Sequence, residues 1–260
     1  MATPITADVP AQDPAAQDRV AQDRVSQDPA AQDSAAQDPK GPGESLSRRI
    51  YDQLREGIIR GRYPQGTRLA EQRLAEELSV SRVPLREAVP LLAVDGFVRT
   101  LPRRGAVVNT WTLGMAHELF DLRLCMEVGA ARFAARQVGL GRSAQPLRDV
   151  LERSREGVRT RDAYRIAADS TEFHEVVVDL TANTLMRSVM RSVTGRMMWL
   201  FYLTSDLDAD DALDGHEELL SAIESGKERV AEAVAYAHIE RDRDESMRVL
   251  VERRGIANLA

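Results

Sequence analysis

The chain has 260 residues, with 35 Lys and Arg against 41 Asp and Glu for a formal net charge of −6; that length allows two modest domains and a tail. Its single cysteine, Cys125, excludes an intramolecular disulfide and fits a reducing compartment. No basic start followed by an apolar run marks a secretory signal. The densest apolar run, MMWLFYL from Met197 to Leu203, is far short of the roughly 20 residues a bilayer needs, so the expectation is a cytoplasmic protein with no membrane partner.

The charge is unevenly divided. Residues 1–44 carry 3 basic and 8 acidic groups, residues 45–110 carry 12 and 7, and residues 111–260 carry 20 and 26. Only the middle segment is basic, and neutralisation of phosphates by Lys and Arg dominates nucleic-acid affinity, so a polyanion would bind there.

Residues 11–40 are six consecutive pentapeptides, five of the form AQDxx and one, at Ser26, SQDPA. Val20 and Val25 are their only branched apolar residues and prolines interrupt any helix, so residues 1–44 read as a disordered tail. Such acidic tails are more often solvated spacers than competitors of DNA for a basic domain.

From Ser45 the pattern becomes helical. Leu46, Ile50, Leu54 and Ile58 repeat at four-residue intervals up to Gly61, and YPQG makes a turn. LAEQRLAEELSV follows, with Leu74 and Leu78 on one stripe, then a tight connection at Ser79 and Val80. SRVPLREAVPLLAVDG is the next helix: Ser81 is placed to cap it, Pro84 falls in its first turn, and Gly96 ends it. Leu85, Ala88, Val89 and Leu92 form its apolar face, while Arg82 and Arg86 lie one turn apart on a cationic one. Pro90 removes the bond to the Arg86 carbonyl, at about 3 kcal/mol in an ideal helix, so a kink or loosened turn is expected there.

Two short strands, Phe97–Thr100 and Ala106–Asn109, flank a turn with Pro102, Arg103, Arg104 and Gly105, a basic hairpin that reads as a wing. In a winged helix-turn-helix the second helix of the motif enters the major groove, with flanking basic groups on phosphates. The bland alternative is a solvated charged face with Glu76 and Glu87 as partners of the arginines.

Residues 45–110, and SRVPLREA above all, resemble the DNA-binding domain of the GntR family of bacterial transcription regulators. The resemblance implies a homodimer on double-stranded DNA, at a short palindrome with a TnGTnnnACnA-like core, and DNA contacts from Arg73, Ser81, Arg82, Arg86, Arg103, Arg104 and Gly105. Two departures bear on the middle helix: Ala70 stands where a capping hydroxyl is usual, and Gln72 where an arginine is common, with Arg73 displaced by one.

Residues 111–255 read as six helices, an all-α bundle that makes the protein mainly α overall. Leu119, Leu122, Met126 and Phe133 mark the first, and Pro146–Arg161, Ala163–Leu180 and Leu185–Thr204 are the next three. HEELLSAIESG and RVAEAVAYAHIERDRDESMRVLVERR complete the set, and Gly195 is the only interior glycine of the fourth.

This half resembles the effector-binding and dimerisation domain of the FadR-like branch of GntR regulators, the FCD domain. The resemblance is carried by Arg123 and Glu127, FHEVVVDLTAN from Phe173, and HEELLSAIESGKERVAEAVAYAH from His216. It implies a divalent metal held by His174, His216 and His238, which as three imidazoles suit zinc or nickel. A small organic acid effector would lie beside Arg123, Ser170 and Asn183. The family's aspartate ligand lies four residues before the first histidine, where this chain has Ser170. Asp169 lies about 100° further round the helix and reaches the ion only through a local irregularity. The expectation is therefore three imidazoles without a carboxylate, with Arg123 pairing bidentately with the effector.

No catalytic group beyond these histidines is recognisable by spacing. A ligand-responsive DNA-binding regulator, not an enzyme, is the favoured function. A metal-dependent hydrolase using the three histidines and a regulator without metal or ligand are the alternatives.

Overall fold

The computed structural model describes residues 45–101, 105–205 and 209–256. The AQDxx repeat, Arg103 and Arg104 lie outside them.

Helix α1 (Leu46–Ile59) starts where the Ser45 hydroxyl accepts the Arg48 N–H, and it buries Ile50, Leu54 and Ile58 as the four-residue spacing dictates. Leu46, at the exposed first position, stays outside the core. After the Gly61 turn comes α2 (Glu71–Leu78), which begins at Ala70 with no side-chain cap and buries Leu74. Ser79 closes α2 in the left-handed conformation, φ 54°, and with Val80 and Ser81 makes the turn of the helix-turn-helix.

Helix α3 (Arg82–Val94) buries Leu85, Ala88 and Leu92 and turns Arg82, Arg86 and Pro90 outward. The helix assignment continues through Pro90, whose ring sits on the exposed face, where water can serve the Arg86 carbonyl. One expectation is corrected here. Ser81 occupies the N-cap position with extended backbone, but its hydroxyl makes no capping bond.

The wing consists of β2 (Val98–Leu101) and β3 (Gly105–Val108), antiparallel with Val98 opposite Val108 and Leu101 opposite Gly105. A two-residue strand, β1 (Arg68–Leu69), pairs with the other edge of β3 and gives the order β1-β3-β2.

The six predicted helices of the second half are all present: α4 (Leu113–Gly139), α5 (Gln145–Thr160), α6 (Ala163–Leu180), α7 (Thr184–Leu203), α8 (Ala209–Glu224) and α9 (Glu228–Glu252). Helix α4 packs against α9, α6 and α8, while α6 lies between α5 and α7. Ala116, Ala130, Ala131, Ala134 and Ala135 of α4 are fully buried, and with Ala231 and Ala235 of α9 they give the two long helices small facing side chains. Leu122 is exposed, off the apolar stripe to which its spacing assigned it; Phe120 and Arg123 turn inward instead. Helix α8 begins seven residues before His216, with Asp210 and Asp211 in its first turn.

The DNA-binding unit joins the bundle through aromatic rings. Phe97, between α3 and β2, stacks on Trp199 of α7, and Trp111, just before α4, meets the same indole edge-on. Gly195 makes the first contact possible: a Cβ there would lie 2.7 Å from Phe97 Cε2.

Candidate functional site

On the DNA-binding unit, α3 presents Arg82 and Arg86 on one open face, with Ser81 exposed at its start and Arg73 exposed on α2. Arg86 Nε donates to Glu71 Oε2 at 3.0 Å, so its partner is on α2, neither Glu76 nor Glu87. Both side chains are more than a third exposed, and such pairs are worth little and exchange readily for phosphate or base contacts. Gly105 opens β3 with φ 78°, a left-handed backbone that a side chain at this tight end of the wing would strain. Arg62, Arg68 and Arg73 border a further hollow beside Tyr63 and Glu77.

In the bundle, four helices aim polar side chains into one buried cluster. Helix α4 contributes Arg123 and Glu127, one turn apart; α6 contributes His174, α8 His216 and α9 His238. All five are almost completely buried. The three imidazoles each offer a nitrogen within 4.8 Å of the others, and the Nε2 atoms of His174 and His216 are 3.4 Å apart. The ring of His216 stacks on Phe173 at 4.3 Å between centroids. Gly215 lets α9 close on α8, since a Cβ there would lie 2.8 Å from His238 Nδ1.

Second-layer contacts orient these rings. His174 Nδ1 lies 2.7 Å from Glu127 Oε2, and its Nε2 lies 3.0 Å from Arg123 Nη2. Arginine can only donate, so His174 Nε2 accepts and the ring proton sits on Nδ1, the tautomer a metal-ligating imidazole needs. Burial works against a charged Glu127, but Arg123 and His174 outweigh it and hold the carboxyl down to about 2. Burial likewise opposes the Arg123 charge, and Glu127 and Asp242 more than restore it. Burial pushes His238 down to about 4 against the pull of Asp242, and pushes His216 well below the usual imidazole range, with the other two histidines adding to the shift. Both rings are therefore neutral and keep a lone pair. His238 Nε2 is buried with no hydrogen-bond partner among the described residues.

This donor set fits a divalent ion. Two tetrahedral nitrogen ligands of zinc stand roughly 3.3 Å apart, close to the His174–His216 spacing, and the unpartnered His238 nitrogen lacks only an acceptor of its lone pair. The adjoining cavity has about 60 Å³ of free space, lined by Ser170, His174, Phe201, Thr204, His216 and Asp242 among others.

Two sequence assignments, Asn183 and Arg123, need correction, and Asp169 lies where the expectation of imidazoles without a carboxylate leaves it. Asn183 is no cavity residue: it is exposed and caps α7, its Oδ1 accepting the N–H groups of Leu185 and Met186. Asp169 is not among the converging donors; its carboxylate turns toward α5, near Gly157, and toward Arg165 at 3.6 Å, and burial pushes it up. Arg123 does reach the cluster, but Glu127 and Asp242 already hold its guanidinium. Sequence reasoning assigned no role to Glu127 and missed Asp242. Both carry a spacing signal, four residues after Arg123 and four after His238.

A winged helix joined to an all-α bundle that encloses a buried histidine cluster beside a cavity is the architecture of a DNA-binding protein with a ligand-sized site in its second domain. The comparisons agree: residues 46–108 match the model described as bacterial regulatory proteins, gntR family, and residues 118–241 match the FCD domain. The chain is 30% identical over 187 residues to the gluconate operon transcriptional repressor of Bacillus licheniformis, covering 68% of this chain and 75% of that one. It is 27% identical over 196 residues to the probable D-xylose utilization operon transcriptional repressor of Paenarthrobacter nicotinovorans, covering 75% and 86%. The fold is shared with the crystal structure of a putative GntR transcriptional regulator from Rhodococcus sp. RHA1, with a TM-score of 0.66, 22% identity, and 77% and 97% of the two chains covered. The chain belongs to the GntR family, with an FCD domain, and is a transcriptional regulator, not an enzyme.

Proposed function

We propose that this regulator is a cytoplasmic, homodimeric repressor that releases its operator in response to a small organic acid, bound beside a divalent ion held by His174, His216 and His238. The observation that carries the reading is the convergence of three buried imidazoles from α6, α8 and α9 on one cavity, with Glu127 and Arg123 against the His174 ring. Operator contacts fall to Arg73, Ser81, Arg82, Arg86, Arg103, Arg104 and Gly105, with two chains reading the halves of a short palindrome. The assignment as repressor rests on similarity to repressors of gluconate and D-xylose operons, and the acidic effector on the cationic character of an ion beside Arg123.

Metal analysis of protein purified without a histidine tag tests the reading. A stoichiometric divalent ion, lost in His216→Ala, is expected, followed by a thermal shift with one of a panel of small carboxylic and sugar acids. Absence of bound ion in the wild type would remove the metal from this function.

A further inference from the structure

We propose that Asp242 supplies a carboxylate ligand to the metal site, from a helix other than the one that carries Ser170. The proposal rests on the metal reading above and replaces the expectation of a shell of imidazoles alone.

Asp242 stands four residues after His238 on α9, so both side chains project from the same face one turn apart. Its Oδ2 lies 3.5 Å from His238 Nε2, the buried nitrogen that has no hydrogen-bond partner. It also lines the same cavity as Ser170, His174 and His216, although it stands outside the group of three histidines whose nitrogens lie within 4.8 Å of one another, so its side chain has to leave Arg123 to join them.

The present partner of Asp242 marks the place where a cation belongs. Arg123 Nη2 is 3.0 Å from His174 Nε2 and 3.3 Å from Asp242 Oδ2, so an imidazole lone pair and a carboxylate oxygen already converge on one positively charged nitrogen. The hold on Asp242 is a loose one. Nη1 and Nη2 both approach the single oxygen Oδ2 at 3.3 Å, where a fork-to-fork pair would use both oxygens at about 2.8 Å. Glu127, by contrast, receives Arg123 Nε at 3.0 Å and is fully enclosed with it. Exchanging Asp242 from Arg123 to an ion therefore leaves the guanidinium one well-placed carboxylate partner, and leaves the ion one negative ligand.

The experiment uses untagged full-length protein stripped of metal. Zinc affinity is measured by competition with a chromophoric chelator, together with the visible absorption of the cobalt(II) form and the melting temperature of the metal-free form. Asp242→Asn is expected to weaken zinc at least tenfold and alter the cobalt bands. Adding Ser170→Asp to it, which puts a carboxylate four residues before His174, is expected to recover most of the affinity. Zinc affinity within twofold of wild type, with unchanged cobalt bands, would overturn the assignment of Asp242 and leave the three-histidine site standing. So would a loss that Ser170→Asp does not repair while the metal-free variant melts lower, because Asp242 would then act only by holding Arg123. A wild type that takes up no zinc would overturn the metal site itself.

Discussion

Phe97 lies against Trp199 with ring centroids 5.6 Å apart and planes inclined by 26°, an offset stack that fastens the end of the recognition helix to α7 of the bundle. Trp199 is fully buried, so truncating it removes a large packed volume at this junction. Trp199→Ala is expected to lower the unfolding free energy by about 3–5 kcal/mol. Gly195→Ala gives the sharper test. Alanine is the better helix former by about 1 kcal/mol, yet the clash with Phe97 predicts a net loss of about 1–3 kcal/mol. Urea denaturation decides, and a stabilised Gly195→Ala would mean the rings are not in contact.

Operator binding follows from the open face of α3. Arg86→Ala is expected to cost about 1–3 kcal/mol of specific affinity in a gel-shift titration against a TnGTnnnACnA-like palindrome. Glu71→Gln removes the pair that Arg86 must leave, worth about 0–1 kcal/mol at the surface, so it should hold or slightly tighten binding. Equal affinity of wild type and Arg86→Ala would refute the role of this face.

Stability should fall on acidification through the histidine cluster. The folded-state value of His238 is depressed to about 4 from an unfolded value near 6.5, so between these limits the unfolded chain binds the proton and the folded one does not. Its contribution is full above about pH 6.5 and is lost as pH falls toward 4, by about 3 kcal/mol in all. His216 is depressed in the same direction. Glu127, held near 2, adds a further loss below about pH 4.5. Chemical denaturation of metal-free protein at pH 7.5, 6 and 5 checks this; constant stability across that range would contradict neutral buried imidazoles.

Asn183→Ala separates capping from ligand binding. Loss of the two N-cap bonds should destabilise the protein by about 0.5–2 kcal/mol and leave the affinity for any acid found in the thermal-shift screen unchanged. A weaker acid affinity without loss of stability would return Asn183 to the effector site.

Where a helix is long and its apolar spacing regular, the sequence was enough. The stripes of α1 and α3, and the existence of α4 to α9, follow from i, i+4 repeats and from glycine or capping residues at their ends. The strand β1 was not legible, because two residues cannot display alternation and Arg68–Leu69 is a strand only through its pairing with β3. Leu122 was misplaced because the inward position one residue on is taken by a buried arginine, which no apolar pattern reveals. The three histidines were legible through the family resemblance, whereas Asp242 was hidden in the charged run Glu240–Glu245, which reads as a solvated face until α9 is laid against α4 and α8. Asn183 illustrates the opposite error: a residue at a motif position that serves only its own helix.

The cavity beside the histidines opens to solvent, and one of its walls is Phe201, two residues beyond Trp199 on the same helix. An acid bound there would touch the helix whose Trp199 packs on Phe97, which would link its binding to the DNA-binding unit. Binding equilibria linked in this way are reciprocal: whatever factor the acid takes from operator affinity, the operator must take from acid affinity. The two tryptophans of the chain, Trp111 and Trp199, both sit at this junction, so indole fluorescence watches the linkage without any added label. Titrating acid into free and operator-bound protein should give two fluorescence midpoints, and their ratio should equal the ratio of operator affinities measured with and without the acid.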